Sequence, residues 1–279
     1  MTEIDAKDDK AVWNEWYPLG SPIDLRRTNR TKTWLLDREI DLTIHKTWIA
    51  AACGSRPLPV TERLGYVWTT LGEPQRGPQS VTEYYEVDRM AMNIWSTPIK
   101  CSGLRIVDNV IDNAHFPFVH PNILGDENHL ELAEYTNTVD ENGELWSRSH
   151  RAWLPLIDGV AEYTYRIASP YTVLLLIHRL DDNGRKRFDY LGVFAQPVTQ
   201  DSFIAHKMLA FVREPWMNER QVRVDQQCIS VQDKYVLERH SIKRLPLDGE
   251  LESSVGVDSA SLAYRAWLRD KDVRYGALR

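Results

Sequence analysis

Residues 108–120 read DNVIDNAHFPFVH and set Asn109, Asp112, His115 and His120 among apolar side chains, a mixture that solvated loops seldom carry. Asp112 and His115 are three apart and share a helix face, whereas His120 is five residues beyond His115 and points elsewhere on a regular helix. Pro117 lacks a backbone N–H and its ring clashes with the preceding turn, so it supplies the distortion that lets both imidazoles converge. The expectation is a helix from residue 104 that distorts at Pro117. Neutral imidazole is a common transition-metal ligand, and a convergent pair suits Fe, Zn, Cu or Ni.

A third ligand comes from residues 216–240, where Val224, Cys228, Val231 and Tyr235 recur at helical spacing and predict a long helix packed on a sheet. Asp233 shares a face with Ile229, Val236 and Leu237, and a carboxylate turned into a core is costly unless paired or metal-bound. Two histidines and a carboxylate with open coordination positions form the facial triad of non-haem Fe(II) oxygenases, where O2 and substrate meet. Spacing alone leaves alternatives open. Neighbouring histidines are more often structural, Asp233 beside Lys234 also reads as a solvated ion pair, and Zn²⁺ in a hydrolase accepts the same ligands. His45, His129, His150, His178, His206 and His240 have no paired spacing.

Around these elements the chain reads as strands. Residues 129–139, 143–153, 160–168, 172–180, 187–198 and 202–212 are rich in β-branched and aromatic residues, with turn signals at 140–143, 169–170 and 181–184. They predict an antiparallel sheet. The DDNG at 181–184 resembles a fragment of a calcium loop but lacks the twelfth-position Glu, so it reads as a turn. Upstream, residues 33–44 predict one or two strands, 53–59 a connection, 63–71 a strand and 84–98 a strand leading into the motif. A final helix spans 259–270, with Leu262, Ala266 and Leu268 for packing. The Pro/Gly-bearing segment 75–80 divides a small β unit, 1–75, from a larger unit, 76–279.

Composition narrows the partners. A formal charge of −6 with no basic block gives no footprint for nucleic acid or an anionic membrane surface. The acidic N-terminus has no apolar signal region, and the longest apolar run, 171–177, is too short to span a bilayer, so a cytoplasmic location is expected. Cys53, Cys101 and Cys228 are too widely spaced for a disulfide framework or a cluster site.

At these residues the sequence resembles the catalytic α subunits of Rieske-type non-haem iron oxygenases. Their iron motif, an acid–Asn pair, two residues, Asp, two residues, His, four residues, His, is filled in register by Asp108-Asn109, Asp112, His115 and His120. Gln232-Asp233-Lys234 resembles the step that carries the third iron ligand. Trp16-Tyr17-Pro18, the RLGYVW of 63–68, and Glu250 with the AYRAWL of 263–268 match further landmarks in family order.

The resemblance implies an α+β helix-grip fold, a twisted antiparallel sheet around a long C-terminal helix, behind a truncated all-β Rieske-domain remnant. It implies mononuclear Fe(II) on His115, His120 and Asp233, O2 as co-substrate, Asp112 as an electron-transfer bridge and Asn109 beside the iron. A Rieske [2Fe–2S] centre needs two Cys and two His as ligands, and neither the Cys-x-His nor the Cys-x-x-His pair occurs here. Electrons would then come from NAD(P)H through a separate Rieske-bearing reductase or ferredoxin. Trp95, Ile111, Phe116, Leu124, Trp153, Leu175 and Phe194 are the candidates for contact with a small aromatic or heterocyclic substrate. The Tyr-Pro opening and the Asp-Lys step resemble the demethylase-like branch, within which bacterial N7-demethylation of methylxanthines, with loss of formaldehyde, is the nearest likeness. The resemblance further implies a homo- or hetero-oligomer. An inactive helix-grip scaffold subunit is the competing reading.

Overall fold

The computed structural model describes residues 4–131, 133–180, 183–249 and 251–279. Glu250, the first two residues of the 181–184 turn and Leu132 lie outside the described residues.

The N-terminal third forms short strands and two small helices. After α1 (Lys10–Trp13) come β1 (Tyr17–Gly20), α2 (Pro22–Thr28), β2 (Lys32–Leu35), β3 (Arg38–Ile44), β4 (Ile49–Cys53), β5 (Arg56–Leu58), β6 (Val60–Arg63) and β7 (Tyr66–Thr69). They make a three-stranded sheet, β1-β7-β6, and a four-stranded sheet, β2-β3-β4-β5. The segment 53–59, expected as a connection, is a hairpin: Gly54 takes φ +58°, which glycine adopts without steric cost, and Cys53 pairs with Arg56.

Seven antiparallel strands follow in the order β8-β14-β13-β12-β11-β10-β9: β8 (Arg89–Ile99), β9 (Thr136–Val139), β10 (Leu145–Leu154), β11 (Gly159–Ser169), β12 (Thr172–Leu180), β13 (Lys186–Thr199) and β14 (Ser202–Val212). β9 is far shorter than the strand expected over 129–139, because the described residues before Thr136 join no ladder. On β13 and β14, alternate residues feed opposite faces. One face, with Phe194 and Met208, packs on Tyr66 and Trp68 of β7. The other, with Leu191, Val193, Ala205 and Lys207, walls a cavity.

Three further helices position the site. α3 (Gly103–Val110) is capped by Ser102, whose Oγ accepts from the Leu104 N–H at 3.2 Å. α4 (Phe116–Val119) is a single turn, and α5 (Glu219–Leu237) runs beside β8. Its N-cap, Asn218, accepts from the Arg220 and Gln221 N–H groups. The face of α5 turned inward carries Ile229, Asp233 and Leu237; Val224, Cys228, Val231 and Tyr235, expected to pack, are exposed. α6 (Ser259–Asp270) has the expected bounds, but Tyr264, Trp267 and Leu268 fill its buried face while Leu262 is exposed. Among the described residues no helix is long and apolar enough to cross a membrane.

Candidate metal centre

The expected distortion at Pro117 occurs earlier. α3 ends at Val110, residues 111–115 turn, and α4 begins at Phe116 with Pro117 in its first turn, where a missing N–H costs nothing. The break has local causes. Asp112 Oδ1 accepts the Ala114 N–H at 2.7 Å, a side-chain turn that competes with helix. Tyr165 of β11 donates to the Asn113 side chain and ties the turn to the sheet. α3 is anchored at Asp108, whose carboxylate accepts from Ser261 and from Arg265 Nη2, the latter at 2.9 Å.

This turn and α5 bring together His115, His120 and Asp233. His115 Nε2 lies 3.2 Å from His120 Nε2 and 3.6 Å from Asp233 Oδ1, and His120 Nε2 lies 3.0 Å from the same oxygen. All three ligand atoms fall within 4.8 Å of one another. His120 and Asp233 are buried and His115 is nearly so.

Neighbouring groups fix how these atoms point. Gln232 Oε1 faces His120 Nδ1 at 2.9 Å; a carbonyl oxygen only accepts, so Nδ1 carries the proton and Nε2 presents a lone pair. That lone pair faces a carboxylate oxygen, which is also an acceptor. Two acceptors at 3.0 Å require a cation between or beside them, and a second proton on His120, a proton on His115 or a metal ion answers the requirement. Asn109 Nδ2 donates to Asp233 Oδ1 at 3.0 Å, and Asp112 Oδ2 stands 3.4 Å from His115 Nδ1. Burial works against charge on His115, yet the adjacent Asp112 and Asp233 carboxylates push it up to about 9. Against the upward push of burial, His115 and His120 hold Asp233 well below the usual carboxylate range.

The cluster opens into a cavity of about 890 Å³ between the sheet and α5. Of the seven substrate-contact candidates, Trp95, Phe116, Leu124 and Leu175 line it. Ile111 is instead buried in the core behind the turn. Phe194 sits on the opposite face of β13, stacked edge-on to Trp68 at 5.0 Å, as strand alternation requires. Trp153 stacks on His129 at 3.9 Å and borders a smaller pocket. Sequence reading missed Lys207, whose ammonium enters the cavity beside Ser230 and which burial lowers to about 8 against the attraction of Asp233. It also gave no role to Gln232, visible only as the residue before Asp233. A lysine at an inward strand position was the available signal, but its face depends on pairing with β8.

The seven-stranded grip over a long helix, and a His–His–Asp cluster at one end of its cavity, define a class also marked by sequence. Residues 99–271 match the vanillate O-demethylase oxygenase C-terminal domain, and the chain belongs to this demethylase-like branch of the Rieske-type oxygenases. It is 32% identical to the probable methylxanthine N7-demethylase NdmC of Pseudomonas sp. (strain TJI-51), over 98% of this chain and 99% of that one. Its fold is similar to Pseudomonas putida CBB5 NdmA, solved as a mutant with caffeine (TM-score 0.76, 17% identity, 95% and 92% of the two chains). It is also similar to dicamba monooxygenase bound to dicamba (TM-score 0.72, 15% identity, 94% and 97%).

Proposed function

We propose that the chain is the oxygenase component of an oxidative N-demethylase acting on a methylated nitrogen heterocycle, a methylxanthine in particular. The observation that carries this reading is the convergence of His115 Nε2, His120 Nε2 and Asp233 Oδ1 at the wall of a largely apolar cavity. Relatedness to a probable methylxanthine N7-demethylase across nearly the whole chain supports the substrate class.

In this reading His115, His120 and Asp233 hold mononuclear Fe(II). The iron supplies activation of O2 next to a substrate C–H bond. The protein's own part is orientation. Gln232 sets the His120 tautomer, Asn109 fixes one Asp233 oxygen, and Asp112 stands against the far nitrogen of His115. The walls from Phe116, Leu175, Leu191 and Ile229 hold a flat ring and exclude water. Overall, N–CH3, O2, two electrons and two protons give N–CH2OH and water, and the hydroxymethyl amine then breaks its C–N bond to release formaldehyde and the N–H heterocycle.

The electrons come from a separate protein. The 279 residues hold no Cys-x-His or Cys-x-x-His pair, so a Rieske-bearing reductase or ferredoxin drawing on NAD(P)H docks over Asp112, whose side chain is 34% exposed. The strands of residues 17–69 are then the remnant of a cluster-bearing domain, and 76–279 the catalytic unit. The test is metal analysis of the purified chain together with formaldehyde release from methylxanthines in the presence of NADH and a Rieske-bearing reductase. Iron bound with formaldehyde formed is expected. Stoichiometric zinc with no iron, or an iron-loaded chain that releases none from any methylxanthine, would overturn the proposal.

A further inference from the structure

The ladder between β8 and β14 is irregular at one place. Asn93 pairs with Met208 and Ser96 with His206, so Ile94 and Trp95 together oppose Lys207. A β-bulge of this kind re-aims side chains. Before it, Met90, Met92 and Ile94 are the buried apolar positions of β8; after it, Trp95, Thr97 and Ile99 face the cavity. Trp95 and Lys207 therefore reach the same wall of the cavity, next to the α5 face that carries Asp233.

The polar atoms gathered there are under-satisfied. Lys207 is 8% exposed, and among the described residues its ammonium reaches only Ser230 Oγ, at 3.5 Å, the outer limit of a hydrogen bond. Ser230 already donates its hydroxyl to the Gln226 carbonyl at 2.8 Å. Among the described residues, Trp95 Nε1 and Thr97 Oγ1 are buried with no partner. Buried polar groups in native proteins are nearly always paired, so unpaired donors around a cavity mark where a ligand supplies acceptors.

We propose that Lys207 Nζ and Trp95 Nε1 form a donor pair that reads a ring carbonyl oxygen of the substrate, making Lys207 a specificity-determining residue for oxygenated over oxygen-free heterocycles. The inference rests on the N-demethylase reading and adds to it the chemical feature by which the ring is recognised. The ammonium supplies a charge-assisted hydrogen bond, and the indole N–H fixes its direction. Selectivity follows because a ligand without the oxygen leaves the buried indole N–H unpaired and the ammonium with its long contact to Ser230 alone.

The test is calorimetric binding to the full chain of two probes of the same shape, 7-methylxanthine and 7-methylpurine, the second lacking ring oxygens. Wild type should favour 7-methylxanthine on the order of 10- to 100-fold, the range of a hydrogen bond to a charged group. Lys207→Met, which keeps the length of the stem, should erase most of that preference by weakening 7-methylxanthine while 7-methylpurine binds no more weakly than to wild type. Lys207→Arg should restore part of it, and Trp95→Phe should lower it in part. A merely structural lysine would shift both probes alike. A Lys207→Met protein that keeps the full preference overturns the inference and leaves the N-demethylase reading standing. A folded wild type that binds neither heterocycle sinks that reading, and this inference with it. Thermal melts establish that each variant is folded, and if Lys207→Met is not, Lys207→Gln is measured in its place with the same two outcomes.

Discussion

His120 Nε2 lies 3.0 Å from Asp233 Oδ1 although 113 residues separate them, and in the neutral tautomer that Gln232 selects neither atom has a proton to give the other. The pair is arranged for a cation. Gln232 meets His120 Nδ1 and Asn109 donates to Asp233 Oδ1, so the two hold these side chains facing each other. Gln232→Leu and Asn109→Leu should each lower the affinity of the chain for Fe(II) about 10- to 100-fold, the usual cost of losing a group that orients a metal ligand. Competition titration of the metal-free protein measures it. Unchanged affinity in both variants would remove the orienting role.

Asp112 poses a different question, because its carboxylate is partly exposed and touches the outer nitrogen of His115 rather than the cluster's centre. Asp112→Ala should retain close to wild-type iron and lose coupled turnover on the order of 10- to 100-fold. Measuring metal content and NADH-coupled formaldehyde release on the same sample separates the two effects. Normal coupled turnover would exclude Asp112 from the electron path. Loss of iron would make it a supporting residue of the metal site instead.

Arg265 anchors the motif helix from the far end of the chain. Its guanidinium meets Asp108 Oδ2 at 2.9 Å and Glu252 Oε2 at 2.9 Å, and donates to the Pro246 carbonyl at 2.8 Å. Burial raises the Asp108 carboxyl above its ordinary value despite this partner, a sign that the ion is costly to keep there. Replacing Arg265 with Met strands that charge, and a broken buried pair typically costs about 3–5 kcal/mol. Urea unfolding of Arg265→Met should register a loss of that order; a loss under 1 kcal/mol would mean that the nearby charge of Arg105, which also lowers Asp108, and the Ser261 hydroxyl already compensate it.

The sheet, the long helix and the convergence of His115, His120 and Asp233 were legible in the sequence because each rests on a local signal: turn residues between β-rich runs, a helical period over 216–240, and histidines around a proline. The faces were less so. On α5 the apolar stripe of Val224, Val231 and Tyr235 outweighs Ile229 and Leu237 by count, yet the fold buries the side that carries Asp233. Helical periodicity says that a face exists, not which partner covers it. The bulge opposite Lys207 was invisible for a related reason: alternation along β8 continues through Ile94, and only pairing with β14 reveals the switch to Trp95. Pro117 was recognised as a break but mislocated, because a proline in the first turn of a helix begins it rather than bends it.

Two buried histidines away from the cluster contribute to the acid response of the fold. His206 is enclosed between Ser96 Oγ at 2.8 Å and Gln196 Oε1 at 3.0 Å, and burial, with a push from Arg30, lowers it to about 3. His150, stacked on Tyr135 and bonded to Ser147 Oγ, is lowered by burial to about 4 although Asp112 pulls the other way. Both stay neutral in the fold and take up a proton near pH 6.5 when unfolded, so stability rises with pH between those limits and falls as the medium is acidified. Glu15 works in the opposite sense: burial pushes it up to about 7, and its contribution declines as pH rises toward that value. Whole-protein pH curves mix these effects, whereas a variant isolates one. His206→Gln removes a penalty that wild type incurs below pH 6.5, which integrates to about 2 kcal/mol between pH 7 and pH 5. The stability gap between wild type and His206→Gln, from urea unfolding at both pH values, should therefore narrow by about that amount at pH 5. A gap that stays constant would mean that His206 takes up its proton in the folded state as readily as in the unfolded chain.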